Sequence, residues 1–234
     1  HSCALDDTGV RCWGGNSFFG ASDVPYDLVN PTLVSAGSGT CALDDNGIRL
    51  LINNSPKSFS LGIYQIIWTA VDNSGNIWVG TDFGVSVFDG AIFTTYTTAD
   101  GLGNDRIKYI SQAANGDVWL GDYSGATKYS SSTFTAYGTG DGLPFGGVDY
   151  IDFDSNGDVY LANGLFGFIK YDGTGFTTYD LANDGLVNNS VRSITIDAAD
   201  NKWVGTAGGI SVFNSSNILV TNHTIMVGIT PPDT

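Results

Sequence analysis

Short hydrophobic stretches divided by polar, glycine-containing breaks run through the chain from about residue 64 onward. One stretch in each group is contiguous, as in Ile77-Trp78-Val79 and Val118-Trp119-Leu120, and others mix polar and apolar positions, as in Val85-Ser86-Val87-Phe88 and Phe93-Thr94-Thr95-Tyr96. Runs this short, bounded by turn residues and rich in Val, Ile, Thr and aromatics, predict strands. The second group predicts four of them, at residues 107–111, 117–120, 126–129 and 133–137. Third and fourth strands recur at 85–88 and 93–96, 168–171 and 176–179, and a third strand at 210–213. A final strand near residues 218–224 is weakly written.

The groups are copies of one another. Residues 73–81, 114–122, 155–163 and 199–206 repeat a turn followed by an aromatic-centred strand, and the central Trp78, Trp119, Tyr160 and Trp203 stand 41, 41 and 43 residues apart. Asp-Gly-Leu closes three of the units, at residues 100–102, 141–143 and 184–186. A period near forty with four short strands is that of a β-propeller blade. The fold class expected is all-β: a propeller of four-stranded antiparallel blades, about five to six, with closure of the ring left open by partial first and last units.

A different repeat occupies residues 1–50. Cys3-Ala-Leu-Asp-Asp-Thr-Gly-Val-Arg-Cys12-Trp13-Gly14 recurs from Cys41 at a spacing of 38, but Leu50 and Leu51 stand where Cys12 and Trp13 stood. Asp7-Thr8 as a hairpin loop pairs Asp6 with Gly9 and sets Cys3 opposite Cys12, at a non-hydrogen-bonded position where Cα atoms approach within disulfide range. A Cys3–Cys12 disulfide implies an oxidising compartment; two buried thiols are the alternative. Residues 52–63 fit neither repeat and read as a degraded blade or a seam. The expected organisation is therefore 1–63 and 64–234, joined in one continuous propeller.

Composition narrows the function. Nine Lys plus Arg against 24 Asp plus Glu give a net charge of −15, which disfavours nucleic acid and anionic lipid and suits neutral sugars or divalent cations. No apolar run reaches the length of a membrane helix, so no membrane insertion is expected in this segment. No signal peptide is recognisable, and the opening on His1 in mid-motif leads us to expect a piece of a longer chain.

The repeated residues carry structural readings beside functional ones. Asn115-Gly116 and Asn156-Gly157 predict type I′ turns, with Asp200 in the glycine column predicting a different or strained turn. The four aromatics are sugar-stacking platforms or wedges between blades; Ile77 and Val79 flanking Trp78 favour wedges. Residues 152–158 match half of a calcium loop, but Asn163 stands where the bidentate acid belongs, so no metal is expected. Only His1 and His223 are present, which argues against histidine-based catalysis. No catalytic residue, cofactor or enzyme activity is expected.

From about residue 64 to 216 the pattern resembles the two-component regulator propeller repeat, with its Ile-Trp-Val-Gly-Thr strand, Phe-Thr-x-Tyr strand and Asp-Gly-Leu closure. Residues 1–50 resemble the bacterial branch of the regulator-of-chromosome-condensation repeats. The first resemblance implies a sensor ectodomain, often glycan-responsive, with an extracellular or periplasmic location. Within a propeller, the loops between second and third strands share a face with the blade-to-blade links, and there the repeats diverge. Asp82, Phe83, Asp122, Tyr123 and Phe166 are the candidate ligand contacts, for carbohydrate, another small neutral ligand or a protein surface; solvated turn residues are the bland alternative. A structural or adhesive module of a surface protein is the second function considered, and a carbohydrate-active enzyme the third.

Overall fold

The computed structural model describes residues 67–144 and 146–224 in full; before residue 67 only strand backbone is described. The chain divides into two compact units, His1–Tyr96 and Thr97–Thr234. In the first, β1 (Ser2–Asp6) and β2 (Gly9–Trp13) form a hairpin. A four-stranded sheet follows from β3 (Leu33–Ala36), β4 (Thr40–Asp44), β5 (Gly47–Ile52) and β6 (Ser55–Phe59), then another from β7 (Ile66–Val71), β8 (Ile77–Thr81), β9 (Gly84–Phe88) and β10 (Phe93–Tyr96). Cys3 faces Cys12 in the hairpin register and Cys41 faces Leu50, as the turn chemistry requires. A bond between the two sulfurs lies outside the described residues. Residues 52–63, which fit no repeat, supply the edge strand β6. Its Pro56 hides the strand from sequence reading, yet an edge strand tolerates a residue with no N–H to donate.

The second unit holds three sheets of the same plan. They are β11 (Ile107–Gln112), β12 (Val118–Asp122), β13 (Ala126–Ser130) and β14 (Thr133–Tyr137); β15 (Tyr150–Phe153), β16 (Val159–Asn163), β17 (Gly167–Tyr171) and β18 (Phe176–Tyr179); and β19 (Val191–Ile196), β20 (Lys202–Thr206), β21 (Gly209–Phe213) and β22 (Leu219–Thr224). All pairings are antiparallel between sequence neighbours. Among the described residues no helix is long and apolar enough to cross a membrane.

The Asp-Gly-Leu closures are one-turn helices. Asp100, Asp141 and Asp184 accept from the backbone N–H of Thr97, Gly138 and Asp180, at 2.8, 2.9 and 2.9 Å. Gly101, Gly142 and Gly185 then take the left-handed conformation that ends each turn. Leu102, Leu143 and Leu186 drop into the core beyond.

The Asn-Gly turns differ from expectation. Gly116 N–H donates to Ala113 O and Ala113 N–H to Asp117 O, both at 2.9 Å, and only Gly116 has positive φ. This is a three-residue loop ending in a left-handed residue, rather than a type I′ turn, which needs two such residues. Asp200, at φ 58°, makes the same turn without glycine, so that turn is not different in kind. The pair with two positive φ values is Ser131-Ser132, joining β13 to β14 at φ 50° and 63°.

In the second unit the aromatic column wedges between sheets as far as following sheets exist. Trp119 is buried, 5.6 Å from Tyr137 of its own sheet and 5.6 Å from Tyr171 of the next. Tyr160 is fully buried; its hydroxyl donates to Asn217 at 3.1 Å, and Lys202 Nζ lies 4.8 Å from its ring centroid. Around it pack Ala162, Phe168, Leu186, Val191, Ile194, Val204 and Phe213. Trp78 is buried as well. Trp203 departs from the expectation of a uniform wedge: it is 42% exposed, on the face of the last sheet that it shares with exposed Ile210. No described sheet follows to cover that face.

One more regularity was not visible beforehand. Six residues before three of the aromatics stands an Asp whose carboxylate closes the turn and then receives the ring's polar hydrogen. Trp78 Nε1 donates to Asp72 at 2.9 Å and Trp203 Nε1 to Asp197 at 3.1 Å, while the single Tyr160 hydroxyl hydrogen is shared between Asn217 and Asp154, the latter at 3.3 Å. The column thus ties its strand to the turn before it, besides filling space.

Candidate functional site

In the four sheets with described side chains, the loop from second to third strand is built by the last residue of the second strand. Thr81, Asp122, Asn163 and Thr206 occupy that position, spaced 41, 41 and 43 residues apart. Thr81 accepts from Phe83 N–H at 3.0 Å and donates to Gly84 O at 3.0 Å; Thr206 accepts from Gly208 N–H at 3.1 Å and donates to Gly209 O at 2.9 Å. Asn163 Oδ1 accepts from Leu165 and Phe166 N–H at 2.9 and 3.2 Å, while its amide donates to Gly147 O at 2.9 Å. Short polar side chains that fold back onto nearby N–H groups specify such turns. No single residue type marks the column, which is why it escaped the sequence reading.

Asp122 is the charged member of this column. Its Oδ1 accepts from Ser124 and Gly125 N–H at 2.7 and 2.9 Å and its Oδ2 from Thr127 Oγ1 at 3.1 Å. It is fully buried, and burial holds its carboxyl above the ordinary range against those three bonds and the positive charge of Lys108. The structure therefore places Asp122 beneath the loop, where it fixes the backbone that carries Tyr123.

The aromatic candidates stand outward. Phe83 is 53% exposed in the first unit; in the second, Tyr123 is 46% and Phe166 is 39% exposed, with Leu165 beside Phe166. Asp82 is half-buried next to Phe83. Tyr123 and Phe166 sit on corresponding loops of consecutive sheets. The link before β15 packs between these loops, since Val148 N–H donates to Asp122 O at 3.0 Å and Gly147 O receives the Asn163 amide.

Around Tyr123 two cations are added, Arg106 from the link before β11 and Lys108 from the start of that strand. Arg106 Cζ lies 4.3 Å and Lys108 Nζ 4.2 Å from the ring centroid, and Lys108 Nζ also meets Asp149 Oδ1 at 2.7 Å. Neither cation figured in the sequence reading, because an Arg-x-Lys at the start of a strand has no motif of its own.

The acids of residues 152–158 are taken up by the fold. Asp152 Oδ2 accepts from Ile196 N–H at 2.9 Å, Asp154 Oδ1 from Asn156 and Asp158 N–H at 3.0 Å each, and Asp158 pairs with Lys170. Among the described residues no three His, Cys, Asp or Glu side chains gather as a metal site would require. His223, on β22, is the one histidine among the described residues and is exposed.

No protein-family model matches the chain, and no curated protein matches it. Solved structures do. The extracellular domain assigned to the hybrid two component system BT3049 of B. thetaiotaomicron aligns with TM-score 0.68 at 21% identity, over 82% of this chain and 28% of that one. Virginiamycin B lyase from Staphylococcus aureus aligns with TM-score 0.66 at 14% identity, over 84% and 70%. PorZ, a surface component of the type-IX secretion system of Porphyromonas gingivalis, aligns with TM-score 0.58 at 13% identity, over 86% and 34%. The chain thus spans little more than a quarter of that extracellular domain. Likeness at these identities defines the class: an all-β protein of four-stranded antiparallel sheets with the β-propeller architecture. That architecture serves an extracellular domain of a two component system, a lyase and a secretion component alike, so function has to be argued from the site.

Proposed function

We propose that this chain is a non-catalytic recognition module of an extracellular or periplasmic protein, binding its ligand through the loops between second and third strands. The observation that carries the reading is the contrast within those loops. A buried polar residue fixes the backbone in each of the four described loops, while the residues held outward differ, among them Phe83, Tyr123, and Leu165 with Phe166. Large side chains held in water by an ordered backbone oppose the hydrophobic effect, and they gain stability when a ligand covers them. Aromatic faces beside polar backbone suit carbohydrate. Asp82 adds a carboxylate beside Phe83, and Asp122 acts by positioning Tyr123. The match to an extracellular domain supports the location, and recognition over catalysis rests on these loops. A Cys3–Cys12 disulfide belongs to the same reading of location, and the cross-strand register supports it; a count of three free thiols in the unreduced, denatured protein would refute it.

A glycan array probed with the full chain, Phe83→Ala and Tyr123→Ala tests the site. Each variant is expected to lose binding relative to the parent, and unchanged binding in both removes these loops as the site. The exposed face of Trp203 and Ile210 favours a second reading, a repeat module whose surfaces pack on further protein. In that case the array stays blank and the chain self-associates or binds protein.

A further inference from the structure

The charge distribution is at odds with the expectation of a neutral ligand. In a chain with 24 acidic and nine basic side chains, cations should be consumed by carboxylates. Lys128 and Lys170 follow that rule, pairing with Asp117 and Asp158. Arg106 does not: it is exposed, and among the described residues no carboxylate lies within ion-pair reach of its guanidinium. Instead it lies over the Tyr123 ring, 4.3 Å from the centroid, with Lys108 at 4.2 Å from the same centroid.

This arrangement is built rather than incidental. Asn104 Oδ1 accepts from Arg106 N–H at 2.9 Å, and Asn104 Nδ2 donates to Ser124 Oγ at 2.9 Å. One side chain therefore ties the loop carrying Arg106 to the loop carrying Tyr123. Asp122 fixes the Tyr123 loop from below, and Asp149 holds Lys108 from the neighbouring link at 2.7 Å. Asp105, the remaining nearby acid, turns away and accepts from Thr98 N–H at 2.6 Å. Asp149 pairs with Lys108 and buried Asp122 attracts the same ammonium from below, but neither is an ion-pair partner of Arg106. A guanidinium with no ion-pair partner among the described residues is left on the ring at the rim.

The electron-rich face of Tyr123 is thus engaged by cations, which is where a neutral sugar would stack. A planar guanidinium with unused donors fits a carboxylate or sulfate in two parallel hydrogen bonds. We infer that Arg106, seated on Tyr123 and backed by Lys108, forms an anion subsite, and that the ligand of these loops is an acidic sugar carrying a carboxylate or sulfate. The inference rests on the loop-recognition reading and narrows its ligand class.

Size-matched uronate-containing, sulfated and neutral oligosaccharides on one array test it, using the full chain. Binding to acidic glycans over neutral ones is expected, weakening as sodium chloride is raised. The stronger of the two acidic series identifies the source of the anion. Arg106→Gln should weaken that binding by about tenfold or more, the range of a charge-assisted hydrogen-bond pair. Arg192→Gln, which changes net charge equally at an exposed strand position, should leave it unchanged. Equal loss in both variants would reduce the effect to long-range charge and overturn the subsite. Neutral glycans bound in preference, with Phe166→Ala weakening them and Arg106→Gln without effect, would overturn the subsite and leave the loop reading standing. A chain that retains no glycan overturns both.

Discussion

Trp119 and Trp203 hold the same place in the repeat and differ in what covers them, so truncating each isolates the energetic worth of a neighbouring sheet. Trp119 is 2% exposed and lies between Tyr137 and Tyr171, whereas Trp203 is 42% exposed. That gap corresponds to about 100 Å² of ring surface, or about 2.5 kcal/mol at about 25 cal/mol per Å². Trp119→Ala should cost about 3–5 kcal/mol, as for a buried large aromatic that leaves a cavity. Trp203→Ala should cost about 1–2 kcal/mol by the same area argument, since its exposed bond to Asp197 at 3.1 Å adds little. Urea unfolding of the full chain, followed by far-ultraviolet circular dichroism, measures both differences provided the slopes match. Equal losses would refute the reasoning, for they would mean that Trp203 is as well covered in solution as Trp119.

Two further consequences concern the turns and the carboxylates. A Cβ at Gly167 (φ +93°) would run into the Tyr179 carbonyl, whereas one at Gly157 (φ +85°) meets open space. Gly157→Ala should cost only the left-handed backbone penalty of about 1–2 kcal/mol, Gly167→Ala at least about 3 kcal/mol, and comparable denaturation midpoints would contradict the packing argument. The pH dependence separates two carboxylates of opposite sign. Asp197 is held below its ordinary value of 3.8 by bonds from Asn201, Trp203 and Ala199. Its stabilisation is therefore present above pH 3.8 and lost as pH falls through the lower folded value. Asp122 is raised by burial, so its ionisation weakens the fold as pH rises from 3.8 through the raised value. Asp122→Asn, which installs the residue found at Asn163, should gain on the parent over that rise, and a constant difference in melting temperature across it would count against the assignment.

The strand order, the blade plan and the second-strand positions were legible in the sequence, because covering a short strand on both faces leaves a contiguous apolar run at any address in the chain. The Cys3–Cys12 register followed from turn length alone. Pro56 concealed β6, and Asn-Gly pointed to the wrong turn because the same dipeptide serves a three-residue loop whose closing hydrogen bonds set the left-handed glycine. Tertiary structure decided what each repeated residue faces. Asp122 and Tyr123 are adjacent in sequence, yet one is buried under the loop and the other stands in water with Arg106 and Lys108 against it. Trp203 and Trp119 read alike and differ twentyfold in exposure by the presence of a next sheet. Periodicity is a local property written along one chain segment, whereas burial and charge pairing depend on which segments meet, and that is settled only by packing.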